Sequence, residues 1–282
     1  MNNILTAITA IVESPLLKTY EEENDEFQNR ANQMGAVLED FVKNAFANCL
    51  GMDKDTANKA RNKTFAYLGN NTNPPDAVLK GGDAIEIKKL SSSVSSQLQL
   101  NSSYPKNKLY SDNPKICNKC RYCEEWDVKD MLYVVGHVED KELKSIFFIY
   151  GDIYCDSKDI YINVENIIKD GLQSIEGVEF AETKELARIN KIDHLGISDL
   201  RVRGMWLIKS PFLHFDYLTE KINNYKFKLV ALIPVDKYNS FENVVEFEEF
   251  CKTEGVNIVD KELEDPQNPA NLISTKLITY YI

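Results

Sequence analysis

The chain has no apolar run approaching 18 residues, which excludes a membrane-spanning helix. Near its start there is no basic segment followed by an apolar one, so no secretory leader is expected. Cysteine is sparse, with six in 282 residues. That is too few for a disulfide scaffold and fits a reducing compartment, the cytoplasm. Twelve glycines and nine prolines are too few for low-complexity sequence. No G-x-x-x-x-G-K-[ST] phosphate loop is present, so nothing points to ATP-driven work. No G-x-S-x-G occurs, which removes the usual serine-hydrolase elbow. His137, His194 and His214 lie far apart and in no zinc-hydrolase spacing.

What is present is a 43% apolar chain, long enough to bury its own core without staples. It reads as one domain over residues 1–282, with a cysteine-bearing insertion at about 112–128. The net charge of −11 argues on its face against nucleic acid. The charge is uneven, however. Residues 76–122 carry eight basic side chains against four acidic, while residues 236–265 carry three against ten. A local basic segment can meet phosphate while the rest stays acidic.

The pattern predicts a mixed α/β fold, with helices flanking a mixed central sheet. Residues 1–30 are weakly patterned, with an acidic run at 21–26 that reads as a solvated helix face. Met34, Val37, Leu38, Phe41, Val42, Ala45 and Phe46 form one helical stripe, with Glu39 at its edge and Gly51 as its stop. Residues 70–75 read as a loop. Residues 77–80 and 83–90 read as a hairpin turned by Gly81 and Gly82. Residues 91–119 read as polar and then basic loop. Strands are expected at 131–138, 145–154, 200–208 and 229–235. Helices are expected at 164–171, 180–190 and 241–252.

The informative segment is Pro75-Asp76, nine intervening residues, then Glu86-Ile87-Lys88. On a strand, Glu86 and Lys88 share one face, while Ile85 and Ile87 point to the core. The glycine turn brings Asp76 beside Glu86. Two carboxylates and an amine then converge at the sheet, with Glu39 as a third carboxylate from the preceding helix. Phosphodiester hydrolysis needs such a set. Two hard oxygen ligands, Asp76 and Glu86, hold Mg²⁺ with waters left on it. The metal acidifies water and stabilises the phosphorane charge. Lys88 orients the nucleophile or neutralises the phosphorane. Taken alone, such an alternation is usually a solvated strand face.

The arrangement resembles the PD-(D/E)xK nuclease superfamily. Two longer strings, Asn73-Pro74-Pro75-Asp76-Ala77 and Gly81-Gly82-Asp83-Ala84-Ile85-Glu86-Ile87-Lys88-Lys89, are similar to the NgoPII-like type II restriction endonucleases. So are Ser96-Gln97-Leu98, Leu100-Asn101-Ser102-Ser103-Tyr104-Pro105-Lys106 and Leu200-Arg201-Val202-Arg203-Gly204-Met205-Trp206. The resemblance implies a Mg²⁺-dependent endonuclease acting as a homodimer on double-stranded DNA, at a short GC-rich palindrome, GGCC. It also implies a cognate methyltransferase as a genetic partner. The same core also serves repair or recombination nucleases, and a degenerate one would leave a DNA-binding module.

Gln97, Asn101, Ser102 and Ser103 suit base edges or phosphate oxygens, and Lys106 and Lys108 suit phosphate neutralisation. Arg201 and Arg203 stand at i and i+2 on an expected strand and suit guanine. The alternative for the arginines is pairing with acidic neighbours. Cys117, Cys120 and Cys123 have zinc-ligand spacing, and Cys155 could complete four thiolates around structural Zn²⁺. The alternative is reduced thiols without metal. Cys49 and Cys251 read as core.

Overall fold

The computed structural model describes residues 1–282 except 15–29, 71–72, 93–95, 102, 141, 184 and 220–224. The acidic run at 21–26 therefore lies outside the described residues.

Helix α1 (Ile4–Glu13) places its polar residues Thr6, Thr9 and Glu13 at i, i+3 and i+7, and the rest are apolar and buried. Ile4, Leu5, Ala7, Ile8 and Ile11 are completely buried, so the helix runs through the core. Asn3 fixes its start by accepting from the N–H groups of Leu5 (2.9 Å) and Thr6 (3.3 Å). In α2 (Arg30–Phe46), Leu38, Val42, Ala45 and Phe46 are buried as the stripe predicts, but Val37 is exposed. The helix ends at Phe46, short of Gly51, and the left-handed residue nearest its end is Asn48 (φ 49°).

Helix α3 (Lys54–Thr64) leads into β1 (Phe65–Asn70), β2 (Asn73–Leu79) and β3 (Ala84–Leu90). Most of the expected 70–75 loop is thus strand. The expected hairpin forms, with Ala77 opposite Ile85 and Val78 opposite Ala84. Next come β4 (Gln97–Asn101), β5 (Lys108–Tyr110) and the single turn α4 (Asn118–Arg121). The long strands β6 (Val128–Glu139) and β7 (Glu142–Tyr150) follow. Residues 151–154, expected as strand, wind instead into α5 (Gly151–Tyr154), and α6 (Lys158–Gln173) comes after them.

The expected helix at 180–190 is a hairpin of β8 (Glu179–Phe180) and β9 (Ala187–Asn190). Ala187 and Ile189 are buried while Arg188 is exposed, a period of two that the charged flanks obscure. The expected strand at 200–208 breaks at Arg203 and Gly204 into β10 (Leu200–Val202) and β11 (Met205–Lys209). The two halves join different sheets: β10 pairs β9, and β11 pairs β4. After α7 (Pro211–His214) come β12 (Lys228–Pro234), α8 (Val235–Asn239) and α9 (Val244–Glu254). The chain closes on β13 (Asn257–Asp265) and β14 (Asn268–Tyr281), a hairpin the sequence analysis does not anticipate.

The main sheet runs β1-β2-β3-β6-β7-β12-β14-β13, with β5 added on β6. Its pairings β3–β6 and β7–β12 are parallel and the others antiparallel. The fold is thus the expected mixed α/β arrangement, a large mixed sheet flanked by helices. Buried charge pins the start of β3. Asp83 is 2% exposed and accepts from Tyr150 Oη and Lys237 Nζ, both at 2.6 Å. Lys237 also reaches Asp130 at 2.5 Å, and Lys108 joins Asp130 (2.6 Å) to Asp152. Lys108 is therefore committed to two carboxylates.

Helix α6 is unusual in what it exposes. Ile160, Val164, Ile167 and Ile168 are all exposed, while Glu165 is buried and accepts from Trp206 Nε1 at 3.4 Å. Those four apolar residues recur at i, i+4, i+7 and i+8, so they form one stripe on the outer face.

Candidate active site

The hairpin of β2 and β3 builds the site. Asp76 lies one residue before the Ala77–Ile85 pair, and its Oδ2 accepts from the Ile87 N–H at 2.6 Å. Glu86 and Lys88 share a strand face, as the alternation predicts, and Lys88 Nζ stands 2.6 Å from Glu86 Oε1. Ile85 and Ile87 point into the core. Glu39 approaches from α2, close enough for its charge to act on both Asp76 and Lys88. Lys43, one turn further along α2, holds the Glu39 carboxylate at 3.1 Å. Sequence reasoning did not single out Lys43, although a Glu and Lys at i and i+4 was the available signal.

Gly69 makes the backbone geometry possible. A Cβ there would meet Pro75 O at 2.6 Å and Asp76 O at 2.7 Å. Only glycine lets β1 lie this close to the chain that carries Asp76.

The electrostatics are those of crowded negative charge. Burial pushes the Asp76 carboxyl up to about 7, and the neighbouring Glu86 adds to the rise. The Lys88 charge and the Ile87 N–H oppose it, and Glu39 reinforces it. Burial works against the Lys88 ammonium, but the charges of Glu86 and Asp76 outweigh it and hold its pKa above the ordinary value. Glu86 Oε2 is buried with no hydrogen-bond partner among the described residues. A buried carboxylate oxygen without a donor is a cost unless something positive meets it.

These residues fit a divalent cation of the Mg²⁺ type. They offer hard oxygen donors, excess negative charge and one orphaned oxygen. They do not form a closed cage. Among the described residues, no group of three or more His, Cys, Asp or Glu side chains is set to hold a metal alone. Mg²⁺ needs only one or two carboxylates when water and substrate phosphate complete its shell.

The expected DNA-reading residues divide. Strand β4 and β11 form a two-stranded ribbon with Gln97 opposite Lys209 and Gln99 opposite Leu207. Leu98 and Leu100 are buried, whereas Gln97, Gln99 and Lys209 face outward and are exposed. The sequence reading passes over Gln99 because its Gln-Leu-Gln-Leu alternation sits in an expected polar loop, and Lys209 because it lies just beyond the strand expected at 200–208. Asn101 ends β4, and Ser102 lies outside the described residues. Ser103 and Lys106 are inside the protein, 7% and 4% exposed, and Lys106 Nζ is turned onto Ser103 Oγ and Tyr104 O. They do not form part of a groove-facing surface. Arg201 and Arg203 are exposed but share one carboxylate. Arg201 grips Glu185 through Nε (3.0 Å) and Nη2 (2.6 Å), and Arg203 Nε adds a contact at 3.0 Å.

The four-thiolate zinc set does not assemble. Cys117, Cys120 and Cys123 are neighbours, with the Cys117 Sγ 3.2 Å from Tyr67 Oη. Cys155 is buried elsewhere, against Tyr133 and Lys106. The expectation of structural zinc is therefore corrected: the fourth ligand is committed to another part of the core. Cys49 and Cys251 are buried, as expected.

Comparison with known proteins agrees with the geometry. The family model for the NgoPII restriction endonuclease matches residues 2–264. The type II restriction enzyme NgoPII of Neisseria gonorrhoeae is 42% identical over 281 residues, covering 99% of this chain and 100% of that protein. No solved structure matches.

The raised Asp76 pKa has a consequence for stability. An acid with a higher pKa in the folded state binds more protons there than when unfolded. Stability is therefore lost as pH rises from the ordinary Asp range, near 3.8, through about 7. Asp76→Asn keeps an acceptor for the Ile87 N–H and removes the titration. Measured by metal-free urea unfolding, it should gain on the wild type from pH 5 to 7.5, by on the order of 2 kcal/mol. A gap that is constant with pH would contradict this.

Proposed function

The chain belongs to the NgoPII restriction endonuclease family, and from that premise we propose that it cuts double-stranded DNA at the palindrome GGCC, with Mg²⁺, as the nuclease of a restriction–modification system. It is a type II restriction endonuclease, a hydrolase that cleaves DNA at specific sites. The observation that carries Mg²⁺-dependent cleavage is the convergence of Asp76, Glu86 and Lys88, with Glu86 Oε2 buried and unpartnered, while the GGCC site is what the family resemblance implies.

In this reading Asp76 and Glu86 hold the cation. Mg²⁺ bound there supplies an acidified water and stabilises charge on the phosphate. Lys88, 2.6 Å from Glu86 Oε1, orients the attacking water and neutralises the phosphorane. Glu39, tethered by Lys43, adds negative charge at the rim. Water adds across the P–O3′ bond, leaving a 5′-phosphate and a 3′-hydroxyl. The β4–β11 ribbon fits a major groove, which admits two strands, and offers Gln97, Gln99 and Lys209 to it. Arg201 and Arg203, braced by Glu185, suit guanine.

A palindrome calls for a two-fold reader, hence a homodimer. The exposed stripe of α6 supports it. Ile160, Val164, Ile167 and Ile168 carry no charge that would repel a second copy of the same face. The methyltransferase protecting host DNA is a genetic partner, not a physical one.

Digestion of a sequenced plasmid with Mg²⁺ should give discrete fragments whose ends all map to GGCC, and Lys88→Ala should abolish them. A smear would move the enzyme to repair or recombination. No Mg²⁺-dependent cutting by the wild type would leave a DNA-binding module. Ile167→Asp should sediment as a monomer in an analytical ultracentrifuge where the wild type is a dimer. A dimer in both would remove α6 from the interface.

A further inference from the structure

Lys106 is the buried cation that the mechanism above leaves unused. It is 4% exposed, and no carboxylate lies within ion-pair distance among the described residues. Burying a lysine without such a partner is costly, yet the structure fixes this one firmly. Its ammonium donates to Ser103 Oγ and to Tyr104 O at 3.1 Å. Its own N–H donates to Tyr133 Oη at 2.7 Å, and Tyr133 Oη donates back to Lys106 O at 3.2 Å. Gly151 makes room for the same turn, since a Cβ there would meet Lys106 O at 2.4 Å.

The place to which it is fixed is informative. Tyr133 lies on β6 directly opposite Glu86 of β3, so both side chains belong to one sheet face. Burial lowers the Lys106 pKa to about 8, and the charge that most opposes the fall is Glu86; Cys155 acts in the same sense, and Lys88 and Lys115 against it. Lys106 thus sits within reach of the Glu86 charge. It also lies on the segment that joins the β4 ribbon to the core.

We propose that Lys106 is a positioning residue for strand cleavage, a fixed internal cation that acts through Glu86 and does not touch DNA. Its positive charge offsets that of Glu86, so that Glu86 keeps its place beside Lys88. This rests on the nuclease reading given above.

The test is Lys106→Met in the full-length enzyme, beside Lys106→Gln. Methionine is similar in length and keeps the buried volume, while it removes the charge and the donors to Ser103 Oγ and Tyr104 O. Lys106→Gln keeps a donor for Tyr104 O should the methionine variant fail to fold. The single-turnover cleavage rate at saturating DNA should fall about tenfold or more. DNA affinity measured with Ca²⁺ in place of Mg²⁺ should stay within about twofold, with an unchanged salt dependence. A weaker affinity with the salt slope reduced by about one would make Lys106 a phosphate contact and overturn the proposal. A cleavage rate equal to wild type would make it a mere core residue and overturn it too. A wild type that cuts nothing would instead sink the nuclease reading, and this inference with it.

Discussion

The crowding of carboxylates at Asp76 and Glu86 is the constraint on which the site depends. Bringing two acidic groups together under cover is unfavourable twice, through lost hydration and through mutual repulsion. The chain offsets part of this with Lys88 on Glu86, the Ile87 N–H on Asp76 and Lys43 on Glu39. It does not offset all of it. Asp76 remains shifted to about 7, and one oxygen of Glu86 has no partner. A protein rarely keeps such a residue of unfavourable energy unless a ligand meets it.

Holding these groups in place requires a rigid frame, and the sheet provides it. Strand β3 sits between an antiparallel neighbour, β2, and a parallel one, β6. The first fixes Asp76 beside Glu86, and the second places Tyr133 beside Glu86. The Asp83, Lys237, Asp130, Lys108 and Asp152 network fastens the start of β3. Gly69 permits β1 to close over the Asp76 backbone. Site geometry is therefore set by strand register, which a one-residue slip would destroy.

The sequence disclosed the site better than the periphery, for physical reasons. Asp76, Glu86 and Lys88 were legible because strand alternation and a glycine turn determine which side chains meet. Glu39 was legible because it borders a clean helical stripe. Helix α1 was hidden because its narrow polar edge, Thr6, Thr9 and Glu13, is mostly threonine and weakly marked. Strand β4 was hidden because its alternating partners are glutamines, and β9 because it is four residues long with charged flanks. The break at Gly204 sends Arg201 and Trp206 to different sheets, which no local pattern reveals. Lys106 was assigned to the surface by its residue type, yet tertiary packing put it inside. Cys155 was grouped with the other cysteines by chemistry alone, and its neighbours proved to be Tyr133 and Lys106.

The account's central claim is that Asp76 and Glu86 form a metal seat waiting for positive charge. Calorimetric titration with Ca²⁺ at pH 7, in two buffers of different ionisation enthalpy, tests it directly. Metal binding must displace the proton that Asp76 holds, so about half a proton should be released per site. Asp76→Asn should release none. Absence of binding in the wild type, or proton release that survives Asp76→Asn, would contradict the claim.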